Sequence, residues 1–146
     1  MSDTFTIRRQ VEFNHCDPAG IVFYPRYFEM ISAVVERFFA DGLGYSWASM
    51  GLLEGNGTPM GDISVRFHNP SRLEEWLTFD LTVKRLGRSS ATLIVHCSCE
   101  DAPRFTCKAT LVHANIKKGR SESWPDTVRR RMERYLTETE TGKTPA

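Results

Sequence analysis

Asp17 opens the run Asp17-Pro18-Ala19-Gly20, a few residues before a long apolar segment. Asp, Pro and Gly at the first, second and fourth positions are the signature of a type I turn. On those residues alone Asp17 does no more than tie off the turn. The chemical reading is that the turn aims a carboxylate, which can act as nucleophile or as general base. Both readings stay open. His15, two residues earlier, is either a hydrogen-bonding residue at the end of a strand or a supporting or binding group beside Asp17. Cys16 lies between them. Neighbouring side chains on a strand point to opposite faces, so a Cys16–His15 nucleophile is poorly placed.

Other clusters carry less. The four cysteines are Cys16, Cys97, Cys99 and Cys107. A chain of 146 residues can bury a core without disulfides. Cys97 and Cys99, two apart in an alternating segment, share one strand face. With His15, His96 and His113 they match no usual zinc spacing, so small buried hydrophobes are expected and no metal. Gly55, Gly57 and Gly61 suggest a phosphate loop, but no Gly-Lys-Ser/Thr follows. Arg129, Arg130, Arg131 and Arg134 form a basic face without interleaved aromatics, as a solvated helix does, and no nucleic acid is expected. The formal net charge of +1 supplies no field toward nucleic acid or membrane. No apolar run approaches the ~20 residues of a spanning helix. The N-terminus lacks a signal-peptide core. The expected location is cytoplasmic.

The elements that must position Asp17 follow from periodicity. Phe5, Ile7, Val11 and Phe13 alternate as a first strand. After the turn, Tyr27, Ile31, Val34, Val35 and Phe38 fall at helical spacing, widened by Phe28 and Phe39. Pro25 suits the first helical turn and Gly42 the C-terminal cap. So wide an apolar stripe needs a sheet to cover it. Residues 43–61 read as a glycine-rich connection and 63–68 as a strand. Leu77–Val83, Leu93–Cys99 and Phe105–Ile116 alternate as an antiparallel meander, with turns at Gly87 and at Asp101–Pro103. Ser123 is placed to cap a last helix with Val128, Met132, Tyr135 and Leu136 inward. The fold class is α+β, one helix across a curved antiparallel sheet. A single domain over 1–138 and a disordered tail over 139–146 are expected.

The stretch Val11–Glu29, VEFNHCDPAGIVFYPRYFE, closely resembles the N-terminal motif of the hotdog-fold acyl-CoA thioesterases of the 4-hydroxybenzoyl-CoA thioesterase type. Cys16-Asp17-Pro18-Ala19-Gly20-Ile21-Val22, then Tyr24-Pro25 and Tyr27, is the specific part. The order of elements agrees over about residues 5–136, and Gly57-Thr58-Pro59 is the next best match. The resemblance implies a hotdog fold, a long helix wrapped by a five-stranded antiparallel sheet. It implies a homodimer joined edge to edge, with active sites shared at the interface, and pairing of dimers into a homotetramer. It implies that Asp17 is the catalytic carboxylate and that the Tyr24 backbone N–H holds the thioester carbonyl. Thr58 would reach the acyl pocket from the partner subunit. Arg88 would meet the phosphates of coenzyme A, with Lys117, Lys118 and Arg120 as alternatives.

Physics supports part of this independently. The first N–H groups of a helix have no partner inside it, and the dipole there favours negative charge. Thioester hydrolysis builds negative charge on the carbonyl oxygen, so a helix N-terminus is a ready oxyanion site. Pro25 has no N–H, so the donor is Tyr24 or lies beyond Pro25. Aromatic residues at 23, 24, 27 and 28 line either an aromatic acyl pocket or the core. The expected activity is hydrolysis of an aromatic or short acyl-CoA, with no cofactor beyond the coenzyme A of the substrate. Two readings compete: a hotdog dehydratase or hydratase, which needs a histidine near the helix, and a noncatalytic acyl-thioester-binding protein. Coenzyme A and acyl carrier protein both remain open as carrier.

Overall fold

The structure is a computed structural model describing residues 2–137; the tail expected over 139–146 lies outside them. The chain forms β1 (Phe5–Gln10), α1 (Pro25–Arg37), β2 (Asn56–Gly57), β3 (Met60–Phe67), β4 (Trp76–Leu86), β5 (Ser90–Cys99), β6 (Ala102–Val112), β7 (Ala114–Asn115), β8 (Arg120–Ser121) and α2 (Asp126–Glu133). Five strands make one antiparallel sheet in the order β1-β4-β5-β6-β3. A small three-stranded sheet, β2-β7-β8, lies apart from it.

The α1 stripe buries Tyr27, Met30, Ile31, Val34 and Val35 in one core with Leu77, Phe79, Leu81, Leu93, Val95 and Phe105 of the meander. Burying each large side chain contributes about 2 kcal/mol, so the stripe decides which face of the sheet the helix covers. After Arg37 the chain widens by one turn, closed by Leu43 N–H donating to the Phe38 carbonyl at 3.0 Å. Gly42 is therefore not the left-handed cap; Gly44 takes that role at φ +66°. Gly42 is small for packing: a Cβ there would stand 3.1 Å from Phe38 Cδ1.

Other boundaries differ for local reasons. The β5–β6 hairpin turns at Glu100 and Asp101, both left-handed, as a two-residue hairpin loop requires. Pro103 already lies in β6. Residues 43–61 include a helical turn, Ser49–Leu53, that buries Met50. Pro125 precedes α2, and Ser123 does not cap it: its Oγ accepts from Arg88 Nη1 at 2.9 Å. The arginines of α2 are mostly engaged. Arg131 donates to the Leu43 carbonyl at 2.7 Å, Arg129 to that of Gly87, and Arg134 pairs with Asp3. No helix among the described residues is long and apolar enough to cross a membrane.

Two features bear on the site. β3 is an edge strand whose Met60, Ile63 and Phe67 side chains are exposed. The segment 68–75, joining β3 to β4, runs back along the start of α1.

Candidate active site

Residues 16–22 form a small hairpin, bridged at Cys16 and Val22. Asp17 N–H donates to the Ile21 carbonyl at 3.0 Å, and Gly20 N–H to the Asp17 carbonyl at 2.9 Å. Gly20 takes φ +82°, which an L side chain rarely adopts. Asp17 Oδ1 accepts the Ala19 N–H at 2.9 Å. The turn thus takes one carboxylate oxygen; among the described residues Oδ2 has no partner. The side chain is half-buried.

The hairpin leads into α1. Phe23 N–H donates to the His15 carbonyl at 2.9 Å, which aligns the next residues for the helix start. Tyr24 is the N-cap, already helical at φ −53°, and no side chain caps the helix. Pro25 has no N–H. Arg26 N–H donates to Phe23 at 2.8 Å and Tyr27 N–H to Tyr24 at 3.1 Å. Among the described residues this leaves the Tyr24 N–H without an acceptor. Beside it opens a pocket of about 260 Å³ lined by Val22, Tyr24, Tyr27, Phe67, His68, Asn69 and Pro70. Tyr24 and Tyr27 line it, as expected of an aromatic pocket; Phe23 and Phe28 do not. Phe67 does, its ring tilted against that of Tyr27 with 5.5 Å between ring centres. Asp17 stands on the neighbouring hairpin and is not part of the lining.

The remaining candidates are dispersed. His15 is buried, not at the surface, and sits in a tight helical turn (Phe13–His15), not on a strand. Its Nδ1 accepts the Glu12 N–H at 2.8 Å, so the ring braces its own loop. Burial holds its pKa below the ordinary value, against the opposing pull of Glu12, so the ring is neutral. Burial and the neighbouring Asp17 raise the Cys16 thiol, which disfavours a thiolate. Burial pushes Cys97 to about 12 and Cys107 to about 11, leaving them inert packing groups. Thr58 lines a second pocket, about 330 Å³, with Trp47, Met50, Asn56, Gly57, Pro59 and Ile116. It lies at the far end of β3 from Tyr24, about 25 Å of extended strand away. Arg88 is exposed, but its guanidinium donates to Ser121 Oγ at 3.0 Å and Ser123 Oγ at 2.9 Å. Within the chain, therefore, only Asp17, His15 and Tyr24 of these candidates are neighbours.

Sequence reasoning missed the polar frame behind the site. Ser71 is fully buried; its carbonyl accepts the Val22 N–H and its Oγ the Tyr27 hydroxyl, both at 2.9 Å. Arg104 and Glu75 form an ion pair at 2.6 Å. The Arg104 guanidinium and the Arg72 N–H hold the Glu75 carboxyl below the usual range, against some desolvation. These residues are far apart in sequence and have no periodic signature.

A long helix held in the curve of a five-stranded antiparallel sheet is the hotdog fold, and solved hotdog proteins align over nearly the whole chain. A 4-hydroxybenzoyl-CoA thioesterase variant solved with 4-hydroxybenzoyl-CoA matches with a TM-score of 0.81 and 22% identity, over 88% of this chain and 98% of that one. A 1,4-dihydroxy-2-naphthoyl-CoA thioesterase from Synechocystis matches with a TM-score of 0.81 and 17% identity, over 89% and 96%. At these identities the likeness speaks for the fold. In sequence, the 4-hydroxybenzoyl-CoA thioesterase of Pseudomonas sp. (strain CBS-3) is 29% identical over 91 residues, 62% of this chain. The match spans 64% of that relative's length. The family model of the thioesterase-like superfamily covers residues 11–132, and the chain belongs to that family.

Proposed function

We propose that the protein is an acyl-CoA thioesterase, hydrolysing an aromatic or short acyl-CoA to the free acid and coenzyme A. The observation that carries this reading is the unpaired Tyr24 N–H at an uncapped helix start, beside an aromatic-walled pocket. A thioester carbonyl oxygen accepting that N–H gains a donor for the charge it develops, and the helix dipole adds to it. Asp17 Oδ2 then serves in one of two ways. As nucleophile it displaces the thiolate to leave an acyl-aspartyl anhydride, which water cleaves. As general base it takes a proton from the attacking water, and the thiolate leaves with coenzyme A. The named relatives act on aromatic acyl-CoAs, and the aromatic walls agree with that class.

The working unit in this reading is a homodimer, with dimers pairing into a homotetramer. Support comes from β3: a long edge strand with unpaired backbone groups and exposed apolar side chains invites a second copy. Antiparallel pairing of β3 with its own copy would bring the second copy's Thr58 beside Phe67, where its pocket meets the one at Tyr24. Arg88, with Lys117, Lys118 and Arg120, lies on exposed segments suited to salt-sensitive contacts with the coenzyme A phosphates. Four free cysteines favour a reducing compartment, hence the cytoplasm.

The test is thiol release from a panel of acyl-CoAs, with benzoyl-type esters expected to turn over fastest. Hydration of an enoyl-CoA without thiol release would replace this reading with a dehydratase. Binding without either reaction would make the protein an acyl-thioester carrier.

A further inference from the structure

Asp17 and the Tyr24 N–H belong to two local units, the 16–22 hairpin and the first turn of α1, joined directly only through Phe23, whose N–H donates to the His15 carbonyl at 2.9 Å. Segment 68–75 touches both. Ser71 accepts the Val22 N–H on its carbonyl and the Tyr27 hydroxyl on its Oγ, at 2.9 Å each. Arg72 bridges to Ile21, and Leu73 N–H donates to the Gly20 carbonyl at 3.3 Å. The hairpin therefore pairs with this segment, and the helix start hangs from it by one hydroxyl.

Two backbone bonds to Val11, its N–H to the Glu75 carbonyl and the Glu74 N–H to its carbonyl, each at 2.8 Å, hold one end of the segment, and the rest is tied to β6 by Arg104. Its Nη1 donates to the Pro70 carbonyl at 2.7 Å and to Glu75 Oε1 at 2.6 Å. The two acceptors flank the residues that hold the hairpin and the helix. Glu75 Oε1 also accepts the Arg72 N–H at 2.8 Å, closing the turn from inside. The Arg104 carbonyl accepts the His68 N–H at 2.8 Å, and Asn69 Nδ2 donates to the Pro103 carbonyl at 2.8 Å. Arg104 is 9% exposed, so most of its guanidinium is withdrawn from water. Within the clamped turn Glu74 sits at φ +72°, a conformation that persists only where the surroundings hold it.

We propose that Arg104 is a positioning residue for the reaction: through Pro70, Glu75 and Ser71 it sets the distance between the Asp17 carboxylate and the Tyr24 N–H. This rests on the thioesterase reading of the site. Arg104 touches neither reacting group. Both bonds come from Nη1, at the tip of a rigid planar group, and a lysine ammonium sits on a shorter, more flexible stem, so Arg104→Lys keeps the charge and loosens the clamp.

The experiment measures kcat and KM for thiol release from the best acyl-CoA of the panel, and amide hydrogen exchange, on Arg104→Lys, Arg104→Met and Tyr27→Phe. Misplacing a catalytic group by an ångström costs up to about a hundredfold in rate, so Arg104→Met should lose at least about tenfold in kcat with KM little changed. Arg104→Lys should recover part of that loss. Tyr27→Phe removes only the hydroxyl that hangs the helix start from Ser71, so it should fold and still lower kcat. Combined with Arg104→Lys its effect should be less than additive. Exchange should quicken at Val22 and Leu73 in the Arg104 variants and stay slow in β4 and β5. Wild-type kcat in Arg104→Lys and Tyr27→Phe, or a loss of protection spread evenly over the sheet, overturns the proposal. A wild-type protein that releases no thiol refutes the thioesterase reading instead, and the pattern of exchange then still decides whether Arg104 fixes the two units.

Discussion

The two ends of β3 carry opposite kinds of chemistry. At the Met60 end, titratable groups are plentiful and all engaged with one another. The Tyr45 hydroxyl bonds Glu54 Oε1 and meets His113 Nε2 at 3.0 Å, while His113 Nδ1 meets the Glu122 carbonyl at 3.0 Å. His113 is buried and stacks on Trp124 with ring centres 4.9 Å apart. Burial and the Glu54 carboxylate push the Tyr45 hydroxyl well above its ordinary pKa. At the Phe67 end Ser71 bonds Tyr27 and Arg104 bonds Glu75, yet among the described residues Asp17 Oδ2 and the Tyr24 N–H are left without partners. A richer cluster is not a better active site. Groups that satisfy each other rigidify a fold; catalysis needs groups that the fold leaves unsatisfied and still holds in place.

Substitutions on either side can break that contrast. The largest effect belongs to Asp17→Asn. The amide oxygen can still accept the Ala19 N–H, so the turn and the melting temperature should hold. Turnover should fall by about 10²–10⁴, the usual contribution of a catalytic base. Near-normal thiol release from a folded Asp17→Asn protein would remove the carboxylate from the reaction. Tyr45→Phe should do the reverse. It leaves buried His113 Nε2 short of a partner and should cost about 1–3 kcal/mol by denaturant titration, with turnover per folded molecule unchanged. A variant of normal stability and poor turnover would move the active site to the other end of the strand.

The smallest effect is a pH slope. The folded pKa of His15 lies below its unfolded value near 6.5, chiefly through burial. As pH falls through that unfolded value the unfolded chain takes up a proton that the folded loop resists. Stability should therefore drop on acidification below about pH 6.5 and level off once pH passes below the folded pKa. His15→Gln should flatten the slope. An unchanged slope in His15→Gln would mean that other groups carry it.

Much of the architecture was legible in the residues. The period-2 runs from Leu77 to Cys99 and the stripe from Tyr27 to Phe38 each describe what a segment does within its own length. The boundaries that slipped did so where distant side chains decide. Gly42 gave up the cap to Gly44 because the helix runs on through a widened turn closed by the Leu43 N–H on the Phe38 carbonyl, and Ser123 was drawn from α2 to Arg88. The candidate site divides the same way. The turn that presents Asp17 and the free N–H of Tyr24 could be read from the Asp-Pro-Ala-Gly run and from Pro25, since both are matters of local backbone geometry. Thr58 could not be tied to them: within the chain a whole strand stands between.

The residues alone determined the secondary elements, the turn that presents Asp17, and the helix start that leaves one N–H free, because these depend on dihedral preferences and on hydrogen bonds between near neighbours. Only the tertiary structure decided that Tyr45, Glu54 and His113 bond one another at the far end of β3 and that His15 is buried. It alone brought Arg104 behind the hairpin. Those outcomes depend on burial and on partners more than twenty residues away, and burial is a property of the folded whole.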